Sequence, residues 1–163
     1  MALLVHNEVI LNTDMDTHTS YDAFSFDIGF RHGSEDPASI SAALEMAPRF
    51  SWAAGQVTSV GVHKHMCWEG TLTQGSGQGD FDSALRAITV IFEKHRGYFR
   101  ELIAGGCEIE ITGNFHINPS LLSATDLDPD SHTESKVFEM ALFPDFIASL
   151  SAIPVALRLQ IWG

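Results

Sequence analysis

The stretch Phe24-Ser-Phe-Asp-Ile-Gly-Phe-Arg31 decides the fold class, because large apolar residues alternate in it with small or polar ones. A period of two is typical of a β-strand with one buried and one solvated face. We therefore predict a first strand here, with the side chains of Asp27 and Arg31 on its solvated side.

The residues that follow predict a helix, two strands and a second helix. Asp36-Pro37 is typical of an N-cap followed by proline in the first turn, and Pro48 ends this helix. Adjacent strands are predicted over 56–64 and 66–73, joined by a hairpin around His65. A long helix then starts at Asp80 or Asp82, with a kink or break at Gly97, and is closed by Gly105-Gly106.

The last part of the chain predicts two more strands and a helix. A strand over 109–117 is followed by a polar loop over 118–135 and a short apolar run over 137–142. Pro144 opens a helix, and a final strand over 155–161 ends at Trp162.

This order of elements predicts an α+β, two-layer sandwich with a mostly antiparallel sheet. Its β-α-β-β-α-β part is the ferredoxin-like arrangement, to which the tail adds a strand, a helix and a strand. Residues 12–21 are polar and aperiodic, so residues 1–21 are expected to form a loosely attached N-terminal segment or to add an edge strand. Residues 22–163 are expected to form a single α+β domain.

The charge of the chain excludes some classes of partner. Twenty-one acidic residues against nine basic ones give a net charge of −12 and an isoelectric point near 4.8. Such a protein repels nucleic-acid phosphates and anionic membranes, and it attracts basic proteins. A solvated acidic surface also keeps a protein soluble without any partner.

The cysteine content and the N-terminus favour a cytoplasmic protein. Cys67 and Cys107 are too few for a disulfide framework, which indicates a reducing compartment. The apolar residues of 2–11 are interrupted by His6, Asn7 and Glu8, so no signal peptide is predicted. No apolar stretch reaches the roughly 18 residues of a membrane span.

One group of residues has the chemistry of a metal site. His63, His65 and Cys67 are spaced by two, so on a continuous strand they would share a face, and Glu69 could add a fourth ligand. A turn at His65 would separate them. Exposed histidines are the competing interpretation, and no cofactor is expected.

Other motifs are incomplete. Residues 126–130 alternate aspartates like a calcium loop, but Ser131 and Val137 stand where that loop needs glycine and glutamate. Residues 75–79 form a glycine-rich linker without the lysine of a phosphate-binding loop. His95 is expected to be a core histidine.

Nucleophilic and acid–base chemistry is not indicated. The chain has no Gly-x-Ser-x-Gly motif, and neither cysteine lies in a recognised nucleophile motif. Glu108 and Glu110 are neighbours on one exposed strand face, where carboxylates usually meet only water. No catalytic residue is therefore assigned.

A resemblance adds to this interpretation. The pattern Phe26-Asp-Ile-Gly-Phe, the helix starting at Asp36-Pro37, Trp52 with Gly55, Trp68, and the ending from Phe143-Pro-Asp-Phe resembles a family of small bacterial proteins known only as a domain of unknown function. The resemblance covers roughly residues 22–162 and implies no activity or cofactor. Small acidic domains of this build are similar in general character to immunity proteins that neutralise a toxin.

The leading hypothesis is a non-catalytic binding module, an immunity-like or inhibitor protein that docks a basic partner. Helices are expected on one side of the sheet only, and we call its other side the open face. The competing interpretation of this face is a solvated sheet surface, or one that the N-terminal segment covers. The residues expected to contact the partner there are Asp27, Arg31, Glu108, Glu110, Arg158, Gln160 and Trp162. Two alternatives remain: a metal-dependent enzyme or metal-binding protein using His63, His65 and Cys67, and a homodimer formed through the final strand or the open face.

Overall fold

A computed structural model describes residues 23–59, 61–116 and 142–162 of the 163-residue chain. Four helices are found in this part: α1 (Pro37–Leu44), α2 (Gly77–Lys94), α3 (Arg96–Ala104) and α4 (Pro144–Ser151). Seven strands accompany them: β1 (Ala23–His32), β2 (Phe50–Trp52), β3 (Val57–Thr58), β4 (Gly61–Val62), β5 (Met66–Gly75), β6 (Glu108–His116) and β7 (Ala156–Trp162). The predicted α+β class is confirmed.

A mixed five-stranded sheet organises the domain. Its strand order is β2-β5-β1-β6-β7, and β3 and β4 form a separate two-stranded hairpin. β1 lies at the centre and is antiparallel to both neighbours, β2 is antiparallel to β5, and β7 is parallel to β6. The stretch that predicted the fold is therefore the central strand.

The core lies on one side of this sheet. Phe24, Phe26, Ile28 and Phe30 of β1 are all at most 2% exposed, as their alternation predicted. They join buried side chains from β5, β6 and all four described helices in a single cluster, whose members include Ile40, Leu44, Trp68, Phe81, Leu85, Ile88, Phe92, Phe99, Ile111, Phe115, Phe146 and Leu150. Burial of this apolar surface is the main stabilising contribution.

The helix ends have local causes. The carboxylate of Asp36 accepts a hydrogen bond from the backbone N–H of Ala38 at 2.9 Å, and Pro37 follows it, which confirms the predicted start of α1. The long helix is broken, as expected, but at His95, two residues before Gly97.

Three predictions of local structure are corrected. Residues 56–64 do not form a strand of the main sheet; they contain β3 and β4, and Phe50–Trp52 pairs with β5 instead. A turn between β3 and β4 interrupts residues 56–64, so the apolar alternation that predicted one continuous strand here does not correspond to one. α2 starts at Gly77 rather than at Asp80, whose carboxylate accepts a hydrogen bond from the N–H of Ser76 at 3.0 Å. α1 ends at Leu44, before Pro48, because Glu45 adopts a left-handed conformation (φ 56°) and caps the helix.

Some predictions fall outside the described residues: the N-terminal segment 1–21, the polar loop with the aspartates of 126–130, and the apolar run 137–142 except for Leu142. Among the helices that are described, none combines the length and apolarity that crossing a membrane requires.

Candidate functional site

The open face is built from residues that lie side by side in register across the strands. One row contains Trp52, Cys67, Arg31 and Glu108, and the next contains Phe50, Glu69, Gly29, Glu110 and Ala156. A third row contains Thr71, Asp27, Thr112 and Arg158. Because side chains of successive residues alternate between faces, every second residue of β1, β5, β6 and β7 contributes to this surface.

A trough of about 340 Å³ runs along this face. Its lining comes from the strands and from Arg49, and none of the described helices contributes to it. Gly29 lies between Glu69 and Glu110 in its row, so the centre of that row has no side chain. The trough is therefore a shallow depression in the sheet rather than an enclosed cavity.

The carboxylates of the open face are paired with arginines. Glu110 lies 2.9 Å from the guanidinium of Arg158, and Glu108 lies 3.9 Å from that of Arg31. Arg49, which precedes β2, forms an ion pair with Glu69 and reaches within 3.7 Å of Asp27. With four carboxylates and three guanidinium groups, the open face is close to charge balance.

Asp27 is at the centre of this arrangement and is buried, which corrects the expectation that it faces solvent. Its residue is 3% exposed. One carboxylate oxygen accepts a hydrogen bond from Thr71 Oγ1 at 2.7 Å, and the other accepts one from Asn114 Nδ2 at 2.9 Å. A buried carboxylate is tolerated only when it is paired and hydrogen-bonded, and Asp27 meets both conditions. It therefore positions Arg49 and Asn114, and its own carboxylate is withdrawn from the surface.

A continuous polar network crosses the sheet through Asp27. At the β7 side, Trp162 Nε1 donates to Asn114 Oδ1 at 3.4 Å, and Asn114 donates onward to Asp27. At the β2 side, the guanidinium of Arg49 lies beside Asp27 and 5.6 Å from the ring centroid of Phe50. The network thus joins aromatic side chains at the two opposite margins of the sheet.

The β2 margin carries a stack of three rings. Phe50 and Trp52 stack with centroids 5.4 Å apart, and Trp52 and His63 stack with centroids 4.6 Å apart. A second depression of about 170 Å³ beside this stack is lined by Arg31, Lys64 and Cys67 among others. Cys67 therefore borders both depressions. Burial raises the pKa of its thiol, and the charge of Arg31 lowers it by a smaller amount.

The proposed metal group is not assembled. Lys64 and His65 form a bend between β4 and β5, so the residues from 63 to 67 are not one continuous strand. The His63 ring stacks on Trp52 instead. Within residues 23–59, 61–116 and 142–162, no three His, Cys, Asp or Glu side chains are grouped so that they could hold a metal ion.

The other predicted residues lie where the alternation placed them. Arg31, Glu108, Glu110 and Arg158 belong to the three rows described above. Gln160, opposite Asn114, and Trp162, opposite His116, lie further along the same face. His95 lies at the break between α2 and α3, where burial lowers its pKa and the charge of Lys94 lowers it further.

Sequence reasoning missed Arg49, Asn114 and Phe50. Asn114 was recognisable, because it alternates with the buried residues of β6. Arg49 and Phe50 gave no signal, since a strand of three residues has no measurable periodicity.

No significant match to the chain was found among protein-family models, curated proteins or solved structures. The resemblance to a bacterial family therefore stays an expectation, and the geometry of the open face is the basis for a function.

Proposed function

We propose that the protein is a non-catalytic binding module whose open face docks a basic protein. The observation that carries this proposal is the polar network through Asp27, which joins exposed aromatic side chains at opposite margins of one sheet face. Trp162 is 53% exposed and Phe50 is 37% exposed. Trp and Arg are the residues that most often supply the binding energy of protein interfaces.

The network gives this surface a defined shape before any partner binds. Arg49 is held by two carboxylates, and Asn114 is held by Asp27 and Trp162. Side chains that are already ordered lose less entropy on association, which favours affinity. A partner that offers hydrogen-bond donors and acceptors to the trough, and apolar groups to its margins, would fit this face.

The net charge contributes in a different way. The open face is nearly balanced, so attraction of a basic partner comes from the chain as a whole, with its charge of −12. Long-range attraction of this kind raises the association rate more than it strengthens the final contacts.

The chemistry of the site favours binding over catalysis. Cys67 is the nucleophilic side chain of the trough, and burial raises the pKa of its thiol. Among the described residues it makes no hydrogen bond to a histidine. Activated cysteines have the opposite properties, a lowered pKa and an adjacent base.

Three finer assignments belong to this proposal. The order β2-β5-β1-β6, with β1 antiparallel to both neighbours, supports a ferredoxin-like core. The acidic chain and the preformed face suit an immunity-like or inhibitor role. Two free cysteines suit a cytoplasmic location.

The test compares two charge-matched double variants. Glu108→Lys/Glu110→Lys changes the open face, and Glu93→Lys/Glu101→Lys makes the same change of net charge on exposed helix positions. Each immobilised protein is exposed to a bacterial lysate at about 50 and 150 mM salt, and retained proteins are identified by mass spectrometry. We expect a basic protein that the wild type and the helix variant retain and the face variant loses.

Alkylation of Cys67 supplies a second measurement of the same contact. The retained protein should slow the reaction of Cys67 with N-ethylmaleimide, because this thiol borders the trough. Equal retention by both double variants, or unchanged alkylation of Cys67 in the complex, would contradict docking on the open face.

A further inference from the structure

The outer edge of β7 differs from the other exposed edges of the sheet. β7 keeps an unbroken register with β6 over Glu110–His116, and its seven residues include no proline, glycine or lysine. Native proteins normally protect such edges with these residues, with bulges or with very short strands. Among the described residues, nothing pairs with the outer side of β7.

The opposite edge has that protection. β2 is only three residues long and follows Pro48. Beyond Glu69, β5 has no described outer neighbour, but its register shifts at Leu72, which is an extra residue relative to β1. A bulge of this kind bends a strand and hinders edge pairing.

The side chains of β7 favour association. Leu159 is 44% exposed and Ile161 is 53% exposed, both on the face that the core occupies. β7 carries one arginine and no carboxylate, in a chain of 21 acidic residues. A second copy of the chain thus meets no carboxylate along this strand.

We infer that β7 pairs with β7 of a second copy, antiparallel about a two-fold axis at Leu159, so that the two sheets become one. In this register Leu159 faces its own counterpart and Leu157 faces Ile161 on the side of the core. On the open face, Ala156 faces Trp162 and Arg158 faces Gln160. Every residue of β7 then meets a residue of matching polarity, and an isologous contact closes as a dimer.

Other registers would pair the two copies of β7 less favourably. A shift by one residue places the apolar side chains opposite the wrong face. An axis at Arg158 sets two guanidinium groups against each other, and an axis at Gln160 shortens the pairing. Only the axis at Leu159 combines full overlap with the absence of a like-charge pair.

The test uses the Arg158–Gln160 contact, which occurs twice in the dimer. Gln160→Lys places a lysine opposite each Arg158, and Gln160→Glu places a carboxylate there. Gln74→Lys is the control, because Gln74 lies in the same row of the open face on β5. Sedimentation equilibrium from about 1 to 100 µM gives the dissociation constant of each protein, and thermal melts confirm folding.

We expect a wild-type dimer that Gln160→Lys weakens by about 5- to 30-fold and Gln160→Glu strengthens, with Gln74→Lys unchanged. Salt should strengthen it, because both copies carry −12. A monomer at every concentration would overturn the inference, as would a dimer sensitive to Gln74→Lys and not to Gln160→Lys. This result is independent of the proposed function, since partner docking on the open face should weaken with salt.

Discussion

Replacing Gly70 with alanine tests the packing of the core against β5. A Cβ atom at Gly70 would lie 2.5 Å from Cη2, 2.9 Å from Cζ3 and 3.3 Å from Cζ2 of the Trp68 ring. The indole cannot retreat easily, because Trp68 is fully buried and packs edge-on against Phe30 at 5.6 Å. Its Nε1 also donates to Ser41 Oγ at 2.8 Å.

The magnitude follows from two opposing effects. Overpacking of a well-filled core costs about 1–3 kcal/mol. Replacing glycine in a strand recovers roughly 0.5–1 kcal/mol through the entropy of the unfolded chain. We therefore expect Gly70→Ala to lower the free energy of unfolding by about 1–2 kcal/mol, which corresponds to a fall of about 2–8 °C in Tm for a chain of this size.

Urea denaturation followed by circular dichroism measures this change, with Gly29→Ala as the matched control. A Cβ at Gly29 would have its nearest neighbour, the backbone oxygen of Glu110, at 3.9 Å, which is an ordinary contact. This control should be as stable as the wild type or slightly more stable. If Gly70→Ala changes the free energy of unfolding no more than Gly29→Ala does, the Trp68 ring does not lie over Gly70, and the packing described for this face is contradicted.

A double variant identifies the clash as the cause. Trp68→Phe removes the outer ring atoms that Gly70→Ala would contact, although it also costs stability by itself. In the Trp68→Phe background, Gly70→Ala should therefore lower the free energy of unfolding by about 1 kcal/mol less than it does when residue 68 is tryptophan. Additive effects of the two substitutions would refute the proposed clash.

Three further predictions follow from single side chains. The hydroxyl of Tyr98 is buried without a hydrogen-bond partner in the described structure, so Tyr98→Phe should raise the free energy of unfolding by about 1 kcal/mol in urea titrations. Burial raises the pKa of Cys107 to about 11. At neutral pH a disulfide reagent should therefore label Cys67 slowly and Cys107 only after unfolding, with two thiols labelled in total. Rapid labelling of both thiols in the native state would contradict the burial of Cys107. The pKa of His95 lies below its ordinary 6.5 in the folded state, so its contribution to stability is complete above pH 6.5 and is lost as the pH falls. His95→Gln should therefore flatten the fall in Tm between about pH 7 and 5. An unchanged slope of Tm against pH would contradict this role of His95.

The elements with a strong local signal were predictable from the sequence. β1 alternates over its whole length, Asp36-Pro37 marks the start of α1, and β6 alternates over nine residues. Each of these depends on residues within one turn or one strand. Such signals determine where an element lies but not which elements become neighbours.

The neighbours depend on contacts between distant residues, and these decide the site. The burial of Asp27 needs Thr71, Asn114 and Arg49, which lie 22 to 87 residues away in the sequence. The pairing of Glu110 with Arg158 likewise follows from the parallel contact of β6 with β7. The sequence could therefore indicate a polar sheet face, but not that its charges neutralise one another.

Because the charges of the open face neutralise one another, the net charge of the chain comes mostly from residues outside this face. The described residues contain twelve acidic and eight basic residues, whereas 1–22 and 117–141 together contain nine acidic residues and one basic residue. Interactions between exposed charges fade beyond about 8–10 Å at physiological salt. Attraction and recognition thus have different sources in the proposed docking, because attraction depends on the charge of the whole chain and recognition on the open face. The association rate of the proposed basic partner should respond to salt, while its dissociation rate should respond to Arg49, Phe50 and Trp162.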